Sequence, residues 1–359
     1  MAFFKIKNVR IAGIAAGVPK QVGSNLDRSL HNISDEYTPE AFVEATGVLE
    51  RHISDTLTTS DLGYAAAEKL ISDLGWEKAE IEAIIFVSQT ADYIFPATAC
   101  ILQERLGLSK ECYAADVALG CSGWVYGMSY VSSLLNVGTI KKAILIAGDA
   151  KPRIHCVVNP LFGHAATATA IEYSEESAGF MFHFGTDGSG YDAIITPDGG
   201  SRNQISLDSF TKELVDGRGI NRLQGRMKGM DVFAFGISTA PKSIKKLAEH
   251  YGFDYQEADY YVFHQANMKM NNTIVKKLKL DIEKVPSCMY HFGNTSSASI
   301  PLTIVTQLKG KIENHPTKFI CCGFGVGLSW GTVAFETNNI VIPEIVEVKD
   351  SEDNYGYKL

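Results

Sequence analysis

The sequence predicts a layered α/β protein, in which helices cover both faces of the sheets. Two short apolar runs, Ala83–Val87 and Ala143–Ala147, have the length and continuity of strands that are buried on both faces. Between them, apolar residues recur at spacings of four, three and four, as the buried stripe of a helix does. These residues are Trp124, Met128, Val131 and Leu135.

The second half of the chain repeats this alternation of strands and helices. It contains three apolar runs that predict strands and one lysine-rich stretch that predicts a helix. The predicted strands are Tyr260–Phe263, Lys318–Cys322 and Thr332–Phe335, and the predicted helix is Met268–Leu280. The repetition is loose at the level of residue identity, so it indicates a similar organisation of the two halves and no more.

A chain of 359 residues exceeds the usual size of one domain. We expect an N-terminal half over residues 1–185, a C-terminal half over 186–337 and an acidic tail over 338–359. Gly185–Met230, which is rich in Gly, Asp, Ser and Arg, is the predicted linker and loop region.

Composition limits the classes of function. The chain has 41 acidic and 33 basic residues, a formal net charge of −8, which argues against a nucleic-acid surface. We see no signal peptide, and the apolar runs are too short to span a membrane. The seven cysteines form no C-x-x-C pair. We therefore expect reduced thiols in a cytoplasmic protein. We assign no residue to a metal site.

Cys121 is the first candidate for chemistry. It lies between Gly120 and the dipeptide Ser122-Gly123, immediately before the predicted helix. Free N–H groups and the positive end of the helix dipole favour a thiolate at such a position. Flanking glycines let a substrate approach the backbone closely. A cysteine at the end of an apolar helix can equally be inert packing.

Three further segments are weak signals of a functional site when each is considered alone. His264 directly follows a predicted strand, at the end where α/β proteins bind ligands, although such a histidine is often only hydrogen-bonded in place. Asn294 lies in a run of tiny side chains, which is also ordinary turn and cap chemistry. The glycine-rich stretch Gly323–Gly331 lacks the pattern of a nucleotide loop, and we interpret it as a tight connection between strands.

The ordered set of motifs resembles the β-ketoacyl-acyl-carrier-protein synthase III family of the thiolase superfamily. The motifs are Gly-Cys-Ser-Gly, His-Gln-Ala-Asn, Gly-Asn-Thr-Ser-Ser-Ala-Ser-Ile-Pro and Gly-Val-Gly-Leu-Ser-Trp-Gly. The similarity includes Gly47–Ile53 and Phe95-Pro96, and it covers the chain from about Val9 to Phe335.

The resemblance implies a five-layered α-β-α-β-α fold built from two similar halves, usually as a homodimer. It implies that Cys121 takes an acyl group as a thioester, and that His264 and Asn294 serve the decarboxylation of a malonyl extender. The backbone N–H groups of Cys121 and Gly327 match the oxyanion hole. Acyl carrier protein or coenzyme A would carry the substrates, and no cofactor is implied.

The predicted substrate contacts depart from the family pattern. Tyr37 stands where the family has a tryptophan, and Ala45 stands where it has an arginine, both of which grip coenzyme A. The segment that would carry a second arginine looks shortened around Val157–Phe162. Because two phosphate-binding charges are missing from the matching positions, we expect an acyl carrier protein to deliver the primer.

The carrier protein itself would dock on a basic helix. Lys269 takes the position of a docking arginine, next to Asn267, which we expect to bind substrate. Lysines at positions 276, 277 and 279 continue the basic face; they could equally be a solvated helix surface. Phe95 matches a residue that reaches the acyl pocket of the partner in a dimer, although a core phenylalanine fits nearly as well.

Three alternatives remain open. A papain-like hydrolase also uses Cys, His and Asn, but its C-G-[SA]-C-[WY] motif is absent. Acyltransferases of the thiolase fold that do not decarboxylate often lack the asparagine, so Asn294 disfavours them. A non-catalytic partner subunit would typically have lost the cysteine, and Cys121 is present.

Overall fold

Helices and strands alternate along most of the chain. The computed structural model describes residues 2–27, 38–150, 159–215 and 218–350. The helices of this described part are α1 (Pro39–Thr46), α2 (Thr59–Leu74), α3 (Thr98–Arg105), α4 (Gly123–Asn136), α5 (Gly229–Tyr251), α6 (Met268–Leu278), α7 (Met289–Phe292) and α8 (Ser299–Leu308). Its strands are β1 (Ala2–Ile6), β2 (Val9–Pro19), β3 (Val22–Ser24), β4 (Glu50–His52), β5 (Ala83–Val87), β6 (Tyr113–Val117), β7 (Lys142–Asp149), β8 (Ala165–Tyr173), β9 (Phe180–Thr186), β10 (Ile194–Ile195), β11 (Glu213–Val215), β12 (Arg218–Ile220), β13 (Arg226–Met227), β14 (Tyr260–Phe263), β15 (Thr317–Gly325), β16 (Ser329–Thr337) and β17 (Val346–Val348).

Two large mixed sheets organise the molecule. The first has the strand order β17-β2-β8-β7-β5-β6, and the second has the order β1-β9-β16-β15-β14. In the first sheet β5 is parallel to both β6 and β7. In the second sheet β14 is parallel to β15. The carboxyl ends of parallel strands meet at one edge of each sheet, which is where side chains can converge on a ligand.

The helices form three layers around the two sheets. Helices α4 and α8 lie between the sheets and pack on strands of both. Their apolar side chains join the largest core cluster, which includes Trp124 from α4 and Ile304 from α8. Helices α2 and α3 cover the outer face of the first sheet, and α5 and α6 cover that of the second. The predicted five-layered α-β-α-β-α fold is confirmed.

The predicted elements agree closely with the observed ones. Strands β5 and β14 have the predicted bounds, and α4 carries the predicted apolar stripe. The lysine-rich helix ends at Leu278, two residues earlier than predicted, because Lys279 takes a left-handed conformation with φ of 57°. Strand β15 runs to Gly325, three residues beyond its predicted end.

The sheets exchange strands across the predicted boundaries. Strands β1 and β9 come from the first half of the sequence and lie in the second sheet. From the acidic tail, β17 pairs in parallel with β2 of the first sheet. The predicted linker Gly185–Met230 contains two small two-stranded sheets, β10 with β13 and β11 with β12. A division of the chain after residue 185 stays a prediction, and the strand order shows that the two sheets do not follow it.

In the described residues, no helix is long and apolar enough to cross a bilayer. The cysteines of this part of the chain are free thiols, as expected; they are residues 100, 112, 121, 288, 321 and 322.

Candidate active site

Cys121 lies between the end of β6 and the start of α4, whose N-cap is Ser122. Two glycines of β15 pack directly against it. A Cβ on Gly325 would lie 2.8 Å from the Cys121 sulfur, and a Cβ on Gly323 would lie 2.8 Å from the Cys121 carbonyl oxygen. Real Cβ atoms do not approach so closely, so these glycines permit the contact of β15 with the cysteine.

The protonation of Cys121 differs from our expectation. Burial raises the pKa of this thiol to about 11, and the carboxylate of Asp149 adds to the increase. The Val326 N–H and the Ser296 hydroxyl act in the opposite direction but do not offset burial. The prediction of a resting thiolate therefore fails, because the sequence revealed the helix start but not the desolvated surroundings.

His264 directly follows β14, and its backbone N–H donates to the Cys322 carbonyl at 2.9 Å. Its side chain is 2 % exposed, and its Nδ1 lies 2.8 Å from the Ser299 hydroxyl. Burial lowers the pKa of this imidazole to about 4, so the ring is neutral near pH 7. Because the unfolded chain binds that proton more readily, His264 makes the fold lose stability as the pH falls from 6.5 towards 4.

The backbone around Asn294 is tied to a neighbouring segment. Its N–H donates to the Leu161 carbonyl at 2.9 Å, and its carbonyl accepts the Gly163 N–H at 3.1 Å. In the side chain, Oδ1 accepts the Ser296 N–H at 2.9 Å. The amide nitrogen lies 3.5 Å from the Ala266 carbonyl, which leaves a second N–H for a ligand.

The structure changes the predicted pair of backbone donors. Val326 N–H is the amide that bonds to the Cys121 sulfur, and Val326 lines the same cavity. Gly327 does not line it. Val326 is therefore a better candidate for the second donor than the predicted Gly327, and the oxyanion hole itself stays a prediction.

A single cavity of about 320 Å³ brings Cys121, His264 and Asn294 together. Its other lining residues come from both halves of the chain: Arg51, Ile53, Gln89, Asp149, Asn159, Leu161, Phe162, Gly163, His164, Ile194, Ile220, Gln224, Gly225, Arg226, Met227, Gly229, Val232, Phe233, Ala266, Asn267, Met270, Ser296, Phe324, Gly325 and Val326. The site therefore combines a thiol, a neutral imidazole and an amide in a space large enough for a small organic group.

Comparisons with known proteins agree with this geometry. The family model described as 3-oxoacyl-[acyl-carrier-protein] synthase III matches residues 115–188, and the model of its C-terminal part matches residues 248–337. The β-ketoacyl-[acyl-carrier-protein] synthase III of Desulfitobacterium hafniense (strain Y51) is 31 % identical over 334 residues, which cover 90 % of this chain and 96 % of that protein. The chain belongs to the β-ketoacyl-[acyl-carrier-protein] synthase III family. It is a condensing enzyme of the acyltransferase class, with the thiolase-like fold that the motifs implied.

Two further relatives extend the match. The synthase III of Campylobacter curvus is 33 % identical over 333 residues, which cover 90 % of this synthase and 95 % of that one. A crystal structure of a 3-oxoacyl-(acyl-carrier protein) synthase from Burkholderia xenovorans LB400 has a TM-score of 0.87 and 34 % identity. That alignment covers 97 % of this chain and 99 % of the other.

The predicted substrate residues of the synthase are spread over several places. Asn267 lines the cavity, and its Oδ1 caps α6 by accepting the Met270 N–H at 2.8 Å. Lys269 is exposed in the first turn of α6, and Ala45 is exposed on the neighbouring α1. Phe95 is 83 % exposed and lies outside the cavity of this single chain. Tyr37 and part of the shortened segment near Val157 lie outside the described residues.

Sequence reasoning missed one wall of the cavity. We define the substrate wall as Ile194, Ile220, Gln224, Gly225, Arg226, Met227 and Gly229, which all line the cavity. They belong to the segment that we interpreted as a linker. Its apolar residues lack periodicity because they belong to strands of only two or three residues. Asp149 and His164 also escaped notice, since each is an isolated polar residue in the sequence, and Arg51 was assigned no role although it lies in the matching segment Gly47–Ile53.

Proposed function

We propose that Cys121, His264 and Asn294 carry the condensation of an acyl primer with a malonyl extender. The observation that supports this assignment is their convergence on one cavity from three separate segments. A thiol can hold an acyl group as a reactive thioester, and two neutral N–H donors can stabilise an enolate. Neither a hydrolase nor a non-catalytic subunit is supported both by this convergence and by the family to which the chain belongs.

In the first step, the Cys121 sulfur attacks the carbonyl carbon of the primer thioester. A new carbon–sulfur bond to Cys121 forms, the bond to the carrier breaks, and the carrier leaves as a thiol with the proton that Cys121 gives up. With a pKa of about 11, the thiol must lose this proton during attack rather than beforehand. The start of α4 stabilises the negative charge that develops on sulfur.

In the second step, the malonyl thioester loses CO₂, and the electron pair of the broken carbon–carbon bond forms an enolate. An imidazole N–H of His264 and an amide N–H of Asn294 donate to the enolate oxygen. The enolate carbon then attacks the carbonyl of acyl-Cys121. The tetrahedral intermediate expels the cysteine sulfur, which regains a proton, and the product is a 3-oxoacyl group on the carrier.

The tetrahedral intermediates require a separate pair of donors near the sulfur. The backbone N–H groups of Cys121 and Val326 fit this role, because the Val326 N–H already bonds to the Cys121 thiol. Such donors typically contribute 10²–10³ in rate, or about 3–4 kcal/mol, when they are aimed at the developing oxyanion.

An acyl carrier protein is the carrier that the surface favours. The N-cap of α6 is Asn267, on the cavity wall, and the helix and its C-cap present exposed lysines at positions 269, 276, 277 and 279. Acidic carrier proteins are attracted to such a face. The methyl group of Ala45 on neighbouring α1 offers no charge to the phosphates of coenzyme A.

A homodimer is the proposed assembly. Strand β6 is an edge of the first sheet, and Tyr113 on it is 50 % exposed. Ile94 and Phe95 are 94 % and 83 % exposed, which is unusual for large apolar side chains and marks an interaction surface. A second copy that covers this edge would receive Phe95 and bury both side chains.

Intact-protein and peptide mass spectrometry tests the assignment and the carrier together. The synthase is exposed to a panel of acyl groups, each on acyl carrier protein and on coenzyme A, and the acyl group on Cys121 is weighed. We expect acylation of Cys121, several-fold faster from the carrier protein. Lys269→Glu should slow only transfer from the carrier protein, whereas the exposed control Lys110→Glu should not. Acylation of another residue would refute the assignment, and equal rates from both carriers would refute the carrier.

A further inference from the structure

Ser299 is a buried residue whose hydroxyl has one described partner. It is the first residue of α8 and is fully shielded from solvent, at 0 % exposure. Its hydroxyl lies 2.8 Å from Nδ1 of His264. The backbone groups of Ser299 are occupied separately: its N–H donates to the Ser296 carbonyl, and its carbonyl accepts the Thr303 hydroxyl at 2.7 Å.

The direction of the Ser299–His264 hydrogen bond follows from this arrangement. If Nδ1 carried the proton and donated to the hydroxyl, the hydroxyl hydrogen would be left without an acceptor among the described residues, and a buried unsatisfied donor is costly. The Ser296 carbonyl accepts the Ser299 N–H, and its hydrogen bond to the ring stabilises the protonated imidazolium, which raises the pKa without offsetting burial. In the ring that is neutral near pH 7, the Ser299 hydroxyl still needs an acceptor, and Nδ1 is the one within reach. The hydroxyl therefore donates, and Nδ1 accepts.

We infer that Ser299 is a positioning residue that holds His264 in the tautomer with its proton on Nε2. The neutral ring has a single N–H, and the nitrogen that bonds to a neighbour determines where that proton sits. With Nδ1 engaged by α8, Nε2–H is the group left for a ligand in the cavity that His264 lines.

This inference deepens the proposed function, on whose assignment of His264 it rests. In the fixed tautomer, Nε2–H can donate to the oxygen of the malonyl enolate. The same nitrogen cannot accept the Cys121 proton, because its lone pair belongs to the aromatic ring. Ser299 thus dedicates His264 to decarboxylation and excludes it as the base for acylation.

Nitrogen NMR of the whole enzyme labelled with ¹⁵N-histidine tests the tautomer directly. The chain has nine histidines, so the His264→Ala spectrum identifies the His264 signals. In the unaltered enzyme near pH 7 we expect Nδ1 to be unprotonated and Nε2 to carry the hydrogen. In Ser299→Ala we expect both tautomers. A protonated Nδ1 in the unaltered enzyme would overturn the inference.

Kinetics of the same variant supply the second measurement. Ser299→Ala should slow malonyl decarboxylation by at least about tenfold, and acylation of Cys121 should stay within about twofold. The matched control is Ser297→Ala, since Ser297 is also buried but bonds weakly to the Val87 carbonyl at 3.3 Å. Equal losses in both steps, or an equal loss in Ser297→Ala, would show a merely structural role.

The two hypotheses fail in different ways. If the unaltered enzyme shows the expected tautomer but neither acylates Cys121 nor decarboxylates malonyl thioesters, the proposed function is wrong. If it catalyses both steps with the proton on Nδ1, the role of Ser299 is wrong and the proposed function stands.

Discussion

The reaction centre (Cys121, His264 and Asn294) and the substrate wall are built in contrasting ways. His264 and Asn294 are 2 % and 5 % exposed, and hydrogen bonds fix both side chains. The substrate wall is formed by very short strands and the turns beside them, and Leu207 and Leu214 of the same segment are 91 % and 80 % exposed. From this difference we infer that the five-layered core positions the residues proposed for the chemistry, whereas a peripheral segment shapes the space for the substrate.

The largest expected effect comes from removing the nucleophile. Cys121→Ala should lower condensation by more than about a thousandfold, since the proposed mechanism holds the acyl chain on this thiol. The control is Cys100→Ala, because Cys100 is exposed and remote from the cavity. Steady-state condensation with each variant checks this. Residual activity within tenfold of the unaltered enzyme would show that Cys121 is not the nucleophile.

A smaller effect is expected when Asp149 is changed to Asn. The Asp149 carboxylate helps to raise the pKa of Cys121, so its neutral isostere should lower that pKa. Below the pKa, the thiolate fraction grows tenfold for each unit by which the pKa falls, so alkylation at pH 8 should accelerate by up to about tenfold. The rate is measured at Cys121 by peptide mapping across a range of pH values.

The same experiment contains its own control. Burial and Glu82 raise the pKa of Cys112 to about 11, without a contribution from Asp149. Labelling of Cys112 should therefore be unchanged. In the unaltered enzyme, labelling of Cys121 should keep rising up to about pH 11, and a plateau near pH 7 would contradict the account of its burial.

The smallest effect is expected at the substrate wall. Ile220→Ala enlarges the cavity and removes apolar contact, so longer primers should gain and short ones should lose a few-fold in kcat/KM. The rate of malonyl decarboxylation should not change. Ile205→Ala is the matched control, since Ile205 lies in the same segment, is 60 % exposed and does not line the cavity. If Ile220→Ala kept the order of primer preference unchanged, the substrate wall would have no role in primer specificity.

Much of the core could be predicted from the sequence because its elements carry strong periodic signals. The run Ala83–Val87 is a strand with the predicted bounds, and the stripe that starts at Trp124 is buried between the sheets. The convergence of Cys121, His264 and Asn294 on one cavity agrees with their positions in motifs of small side chains at the ends of such elements, and their catalytic roles stay a prediction. No single motif indicated a function, and only the ordered set of motifs indicated the family.

The other features of the site depend on distances between residues that are far apart in the sequence, and the sequence alone does not give these distances. The pKa of Cys121 follows from burial and from Asp149, which is 28 positions away along the chain. Strands of two residues carry no periodicity, so the role of Ile194 was hidden in an apparent linker. Val326 and Gly327 are neighbours in one glycine-rich motif, so only the structure showed that Val326 is the one whose N–H reaches the Cys121 sulfur.

The division of labour between the two steps is the central claim, and single-turnover kinetics test it most directly. His264→Ala and Asn294→Ala are compared with the unaltered synthase for acylation of Cys121 and for decarboxylation of a malonyl thioester. We predict that both variants acylate Cys121 within a few-fold of the normal rate and decarboxylate at least about a hundredfold more slowly. Equal losses in the two steps would contradict the account.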